Sequence, residues 1–152
     1  MMKTAGIWAK TGIALGAATL VGVGLSGCGL VDSIKNSTAD AWSVTYAVTV
    51  TGEGTPSLPA VTFGEAKTRG EDTVTKDLPN LPLVADPATP GSSRWEKTVM
   101  VTATRPASIV ATPGEGQRAT CQILLDGKRQ IAAVAGEPGK PVTCEATTPK
   151  FD

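Results

Sequence analysis

The stretch RATCQILLDGKRQIAAV, Arg118 to Val134, decides how this chain folds. Ala119, Cys121, Ile123 and Leu125 recur at every second position, the period of a strand with one face turned to a core. Asp126-Gly127 follows at once, and Lys128 to Val134 is again a strand-forming run. An Asp-Gly pair between two such runs predicts a hairpin, because both central residues of a type I′ turn need positive φ. A lone hairpin is marginal in water, so its apolar face needs further strands to cover it.

Those strands are found on either side. Downstream, Pro138-Gly139 turns the chain and Val142, Cys144 and Ala146 form the inward face of a last strand. Upstream, SVTYAVTVT from Ser43 to Thr51 places Val44, Tyr46, Val48 and Val50 on one face and Ser43, Thr45, Thr49 and Thr51 on a wet one. Trp95 to Thr104 alternates in the same way, with Val99, Val101 and Ala103 opposed to Thr98, Thr102 and Thr104. Ala60-Val61-Thr62-Phe63 predicts a second strand, and Arg69-Gly70-Glu71-Asp72 a turn into a third around Thr73-Val74-Thr75. Leu78 to Gly91 holds Pro79, Pro82, Pro87 and Pro90, which fix φ and withhold N–H donors, so it reads as an irregular crossing or an edge. Arg105-Pro106 and Pro113-Gly114 mark boundaries. About seven short strands without a helical period predict an all-β, antiparallel β-sandwich over residues 42–148.

The amino-terminal residues read as an address. From Thr11 to Val31 no residue is charged, Lys3 and Lys10 precede the run, and Leu25-Ser26-Gly27-Cys28 closes it. An apolar centre followed by small residues suits a signal peptide. The four closing residues resemble the lipobox of bacterial lipoproteins, which implies cleavage after Gly27 and a lipid on the Cys28 thiol. On this reading residues 1–27 leave, residues 28–41 tether the domain, and it sits outside a cell membrane as a lipid-anchored domain. Twenty-one uncharged residues could instead cross a hydrocarbon core about 30 Å thick as a helix; the six glycines among them disfavour a lone spanning helix.

Cys121 and Cys144 are then the remaining thiols, each at an inward position of its own strand. Oxidising surroundings predict a disulfide between them, set against two buried free thiols or a metal pair. Such a bridge constrains the unfolded chain by roughly 3 kcal/mol.

Charge and composition narrow the function. The chain has 14 Lys and Arg against 14 Asp and Glu, and no His. Without residues 1–27 it keeps twelve basic and fourteen acidic groups, so no basic field invites nucleic acid. Ser-His and Cys-His catalytic pairs and imidazole metal sites are excluded by composition. No catalytic, cofactor-binding or metal residues are assigned, and the chain is read as a non-enzyme. Trp42 and Trp95 could dock a lipid or a partner, with Trp95 the better fit to the core. Glu65, Glu71 and Asp72 read as solvated loop surface.

Val44-Thr45-Tyr46-Ala47-Val48 followed by Gly52, the strand beginning near Trp95, the block Ala119-Thr120-Cys121-Gln122-Ile123-Leu124-Leu125-Asp126-Gly127-Lys128 and Val142-Thr143-Cys144 together resemble the extracytoplasmic domain of the MmpS family. These are small mycobacterial-type envelope proteins that accompany MmpL transporters of the RND superfamily. The resemblance covers about Trp42 to Ala146. It implies an immunoglobulin-like sandwich, a bond between the two cysteines, and an accessory role in export of lipids or siderophores with an RND/MmpL-type transporter as partner. The chain departs from the family in an extension over Ala85 to Ser93 and in a lipobox where the family keeps a membrane-spanning helix. No family binding residue is carried over. A ligand-holding lipoprotein for a lipid or amphiphile and a surface adhesion domain are the rival classes.

Overall fold

A computed structural model describes residues 39–151. Nine strands follow in order: β1 (Ala41–Thr51), β2 (Leu58–Glu65), β3 (Val74–Leu81), β4 (Val84–Ala85), β5 (Ser93–Thr102), β6 (Pro106–Thr112), β7 (Arg118–Leu125), β8 (Arg129–Ala135) and β9 (Val142–Thr147). They form two antiparallel sheets, β4-β5-β1-β7-β8 and β3-β2-β6-β9, which pack face to face as a sandwich. Residues 1–38, which hold the expected export segment and most of the expected tether, lie outside the described residues.

Alternation places the core. Val44, Tyr46, Val48 and Val50 of β1 and Ala119, Cys121, Ile123 and Leu125 of β7 are fully buried, as their spacing predicts. Facing them from the second sheet are Val61 and Phe63 of β2, Ala107, Ile109 and Ala111 of β6, and Val142 and Cys144 of β9. The outer face of β1 is drier than expected. Ala47 and Thr45 are buried, since β1 is flanked along its length by β5 and β7, and the Thr45 hydroxyl meets that of Thr98 at 2.9 Å.

The hairpin at Asp126-Gly127 forms as read. Asp126 and Gly127 have φ of 51° and 67°, and the Lys128 N–H donates to the Leu125 carbonyl at 3.0 Å. Its second strand starts one residue later than expected, and a register shift at Ile123/Leu124 leaves Ile131 opposite no single partner.

Three expectations need revision. The sandwich has nine strands rather than about seven, because β6 and β4 are added. β6 lies between the two Pro boundaries, and its inward face is built from Ala107, Ile109 and Ala111, two of them too small to give a strong apolar signal. β3 is longer than expected, running from Val74 through Pro79 to Leu81; the proline sits at the edge that its sequence allowed, since β3 is paired only with β2. Ala103 and Thr104 belong to the turn after β5, with Thr104 at φ 66°.

Side chains join the layers where ladders cannot. The Tyr46 hydroxyl crosses from β1 to the other sheet and donates to the Gly64 carbonyl at 2.7 Å. Burial pushes this phenol well above the ordinary tyrosine value; a backbone hydrogen bond from Ser108 opposes the shift and the Glu65 carboxylate adds to it. Gly64 has no room for a side chain, since an added Cβ would collide with the Thr73 methyl. At the end of the sandwich where β1 finishes, the buried Gln117 amide accepts from the Ser57 N–H at 2.9 Å and donates to the Thr55 carbonyl at 2.8 Å, pinning the β1–β2 loop.

Candidate functional site

Cys121 and Cys144 are joined in a disulfide, one from β7 and one from β9, with Cα atoms 6.0 Å apart. Both are fully buried, so the bond ties the two sheets through the centre of the core. Their sulfurs are thereby taken out of metal or nucleophilic chemistry. Cys28, the expected lipidation residue, lies outside the described residues. Among the described residues no group of three or more His, Cys, Asp or Glu is placed to hold a metal ion, and no helix is long and apolar enough to cross a membrane.

The two tryptophans take different roles. Trp95 is only 8% exposed and packs at a tilt on Phe63, with ring centres 6.2 Å apart, in a chain of rings that continues to Tyr46. It is core. Trp42 stands at the end of the sandwich where β1 begins and is half-buried against the core and the carboxyl-terminal tail. Its indole N–H donates to the Pro149 carbonyl at 2.7 Å, Phe151 stacks on its ring at 4.1 Å, and the Arg129 guanidinium lies 5.0 Å from the ring centre. The tail reaches this position because the buried Thr148 hydroxyl donates to the Thr102 and Arg105 carbonyls, each at 3.0 Å. Beside Trp42 opens a surface depression of about 440 Å³, with Arg69, Met100 and Asp126 on its walls. Asp72 meets Arg105 at 3.0 Å and Glu65 meets Lys76 at 3.7 Å, so these carboxylates serve as surface ion pairs.

The Pro-rich segment presents a second surface. Val84 and Ala85 pair with Arg94 and Ser93, and residues 86–92 close a self-bonded loop between them. Asp86 N–H donates to the Ser92 carbonyl at 3.0 Å, its carboxylate accepts from the Ala88 N–H at 2.9 Å, and the Ser92 hydroxyl donates to the Thr89 carbonyl at 2.7 Å. What reads as an irregular crossing or an edge is therefore an edge hairpin closed by its own hydrogen bonds. It holds Val84 outward with 72% of its surface exposed, above an ion pair between Arg94 and Glu96. Val84, Pro87, Arg94 and Glu96 line an open depression of about 340 Å³.

Sequence reasoning did not find Val84, Phe151, Gln117 or Thr148. Val84 sits among prolines without a period that could assign it a face. The other three act through partners more than forty positions away, a separation no local pattern encodes.

The sequence matches no protein-family model and no curated protein.

Proposed function

We propose that this protein is a cell-envelope lipoprotein, anchored through lipid on Cys28, that acts as a transport accessory of the MmpS type by contacts with an RND/MmpL-type transporter. The observation that carries the reading is a continuous buried cluster between the sheets, with Val84 held outward on a hairpin at the sheet edge. Val48, Val50, Val61, Ile109, Cys121 and Ile123 meet between the sheets as one buried cluster, which leaves recognition to the surface. A carrier of a drug-sized amphiphile instead uses a cleft of several hundred Å³ enclosed by apolar walls, whereas the depressions at Trp42 and Val84 are open and flanked by charge. The matching segments of the sequence support the family resemblance, and the inter-sheet disulfide fits an oxidising compartment.

The reading places the chain outside the cytoplasm, with its sandwich free to meet a transporter's extracytoplasmic region. Val84 is the anchor of choice for that contact, being apolar, rigidly held and rimmed by Arg94 and Glu96. Crosslinking in intact cells followed by affinity capture of the full chain tests the proposal. An RND-type transporter in the eluate, lost on Val84→Asp, is the expected result. Repeated capture without such a transporter removes the reading.

A further inference from the structure

The sandwich has four edge strands, and three of them are blunted. β3 carries Lys76, Asp77 and Pro79 at exposed positions. β4 is two residues long and stands between Pro82 and Pro87. β9 exposes Glu145 and is flanked by Pro141 and Pro149. Charge, proline and shortness are the usual means by which a sheet edge is kept from pairing with another chain.

Beyond its first residue, Arg129, β8 has none of them. From Gln130 to Gly136 the sequence QIAAVAG contains neither charge nor proline, and its only irregularity, at Ile131, is confined to the turn end. The Gly136 N–H donates to the Ala119 carbonyl at 2.8 Å. Because hydrogen-bonded and non-bonded pairs alternate along an antiparallel ladder, Val134 and Ala132 also direct their backbone groups toward β7. The N–H and C=O of Ala133 and Ala135 therefore point away from the sheet. Between them stands Val134, 43% exposed and one of the few large apolar side chains left uncovered.

We propose that β8 pairs with β8 of a second copy of this chain, antiparallel about a two-fold axis through Val134. In this register the outward groups of Ala133 meet those of Ala135 in the partner, and those of Ala135 meet Ala133, so the four residues close two hydrogen-bonded pairs. Val134 lies directly opposite its own symmetry mate, at the close spacing of a non-hydrogen-bonded pair, and each valine covers the other. No charge of either sign falls among the residues that pair about the axis; the nearest ionisable residues along the chain are Arg129, at the start of β8, and Glu137, two residues past its end. The occupant is a second copy because the outward pattern of donors, acceptors and apolar surface is complementary to itself. Two five-stranded sheets become one of ten strands. The contact is small, so the association belongs to the weak, concentration-dependent class.

The test is sedimentation of the full chain in detergent, from micromolar to millimolar concentration, for the wild type, Val134→Lys and Ala133→Pro. Ala133→Pro removes an N–H that faces away from β7 and so spares the ladder within the monomer. The wild type is expected to shift from monomer to dimer as concentration rises, and each variant to dimerise at least tenfold more weakly with an unchanged melting temperature. Val134→Lys keeps the test decisive if the proline variant is unstable. A wild type that stays monomeric throughout overturns the proposal. A dimer that survives both substitutions overturns it as well, and assigns self-association to another part of the chain.

Discussion

β1 and the segment from Pro82 to Ser92 solve the same problem, satisfying their backbone groups, in opposite ways. β1 is paired on both sides, with β5 from Ala41 to Val50 and with β7 from Val44 to Thr51, so neighbouring strands take its donors and acceptors. Its side chains are left free to fill the interior. The Pro-rich segment has few donors to offer, pairs briefly at Val84 and Ala85, and meets its remaining needs with Asp86, Thr89 and Ser92 inside its own loop. Leu83 still packs against the core, and Val84 next to it is left pointing out. A region stabilised by long-range pairing carries the fold, and one stabilised locally can present a surface without endangering it.

That contrast can be broken from the core side first. Ile123→Ala empties a fully buried position opposite β1 and is expected to cost roughly 2 to 5 kcal/mol in urea unfolding. Replacing Cys121 and Cys144 together by Ala frees the sheets from their central link and is expected to cost about 3 kcal/mol. A loss much smaller than this in the same assay would mean that packing alone holds the sheets together.

Tyr46→Phe sharpens the comparison at the single hydroxyl that spans the layers. Loss of its bond to Gly64 is expected to cost about 1 to 3 kcal/mol. The pH dependence has a definite sign. The folded phenol titrates above the unfolded one, so the folded state holds its proton where the unfolded state releases it. Stability from this group is complete below a pH of about 10 and declines as pH rises past that value. Tyr46 is the only tyrosine of the chain, so tyrosinate absorbance reports it alone. It should appear together with unfolding in the wild type, and the alkaline loss should shrink in Tyr46→Phe.

The smallest effect is expected on the other side of the comparison. Val84→Ser changes a side chain exposed to water and should alter stability by no more than about 0.5 kcal/mol, as thermal unfolding can show, while weakening capture of the proposed transporter.

The same contrast explains what could be read in advance. β1, β5 and β7 alternate large apolar residues with threonine, and the period survives into the structure residue by residue. Asp126-Gly127 announces its turn because few other pairs accept two positive φ values. Cys121 and Cys144 are legible as a pair from their inward positions. β6 hides because Ala107 and Ala111 give half its inward face little hydrophobic weight. β3 is legible only around Thr73-Val74-Thr75; its continuation through Pro79 reads equally as a crossing or an edge, and the pairing with β2, a tertiary fact, decides for the edge. Trp42 was open to more than one role until the tail folded back to cover it. Its contacts with Pro149 and Phe151 span more than a hundred positions of chain.

The central claim, an exported and lipid-held sandwich locked through its core, meets its most direct test in peptide mass mapping of chain taken from native membranes, denatured and alkylated without reductant. The account predicts one peptide pair joined through Cys121 and Cys144 and an amino-terminal peptide that begins at an acylated Cys28. Alkylated Cys121 and Cys144, or a Cys28 peptide still continuous with Gly27 and free of lipid, would contradict it.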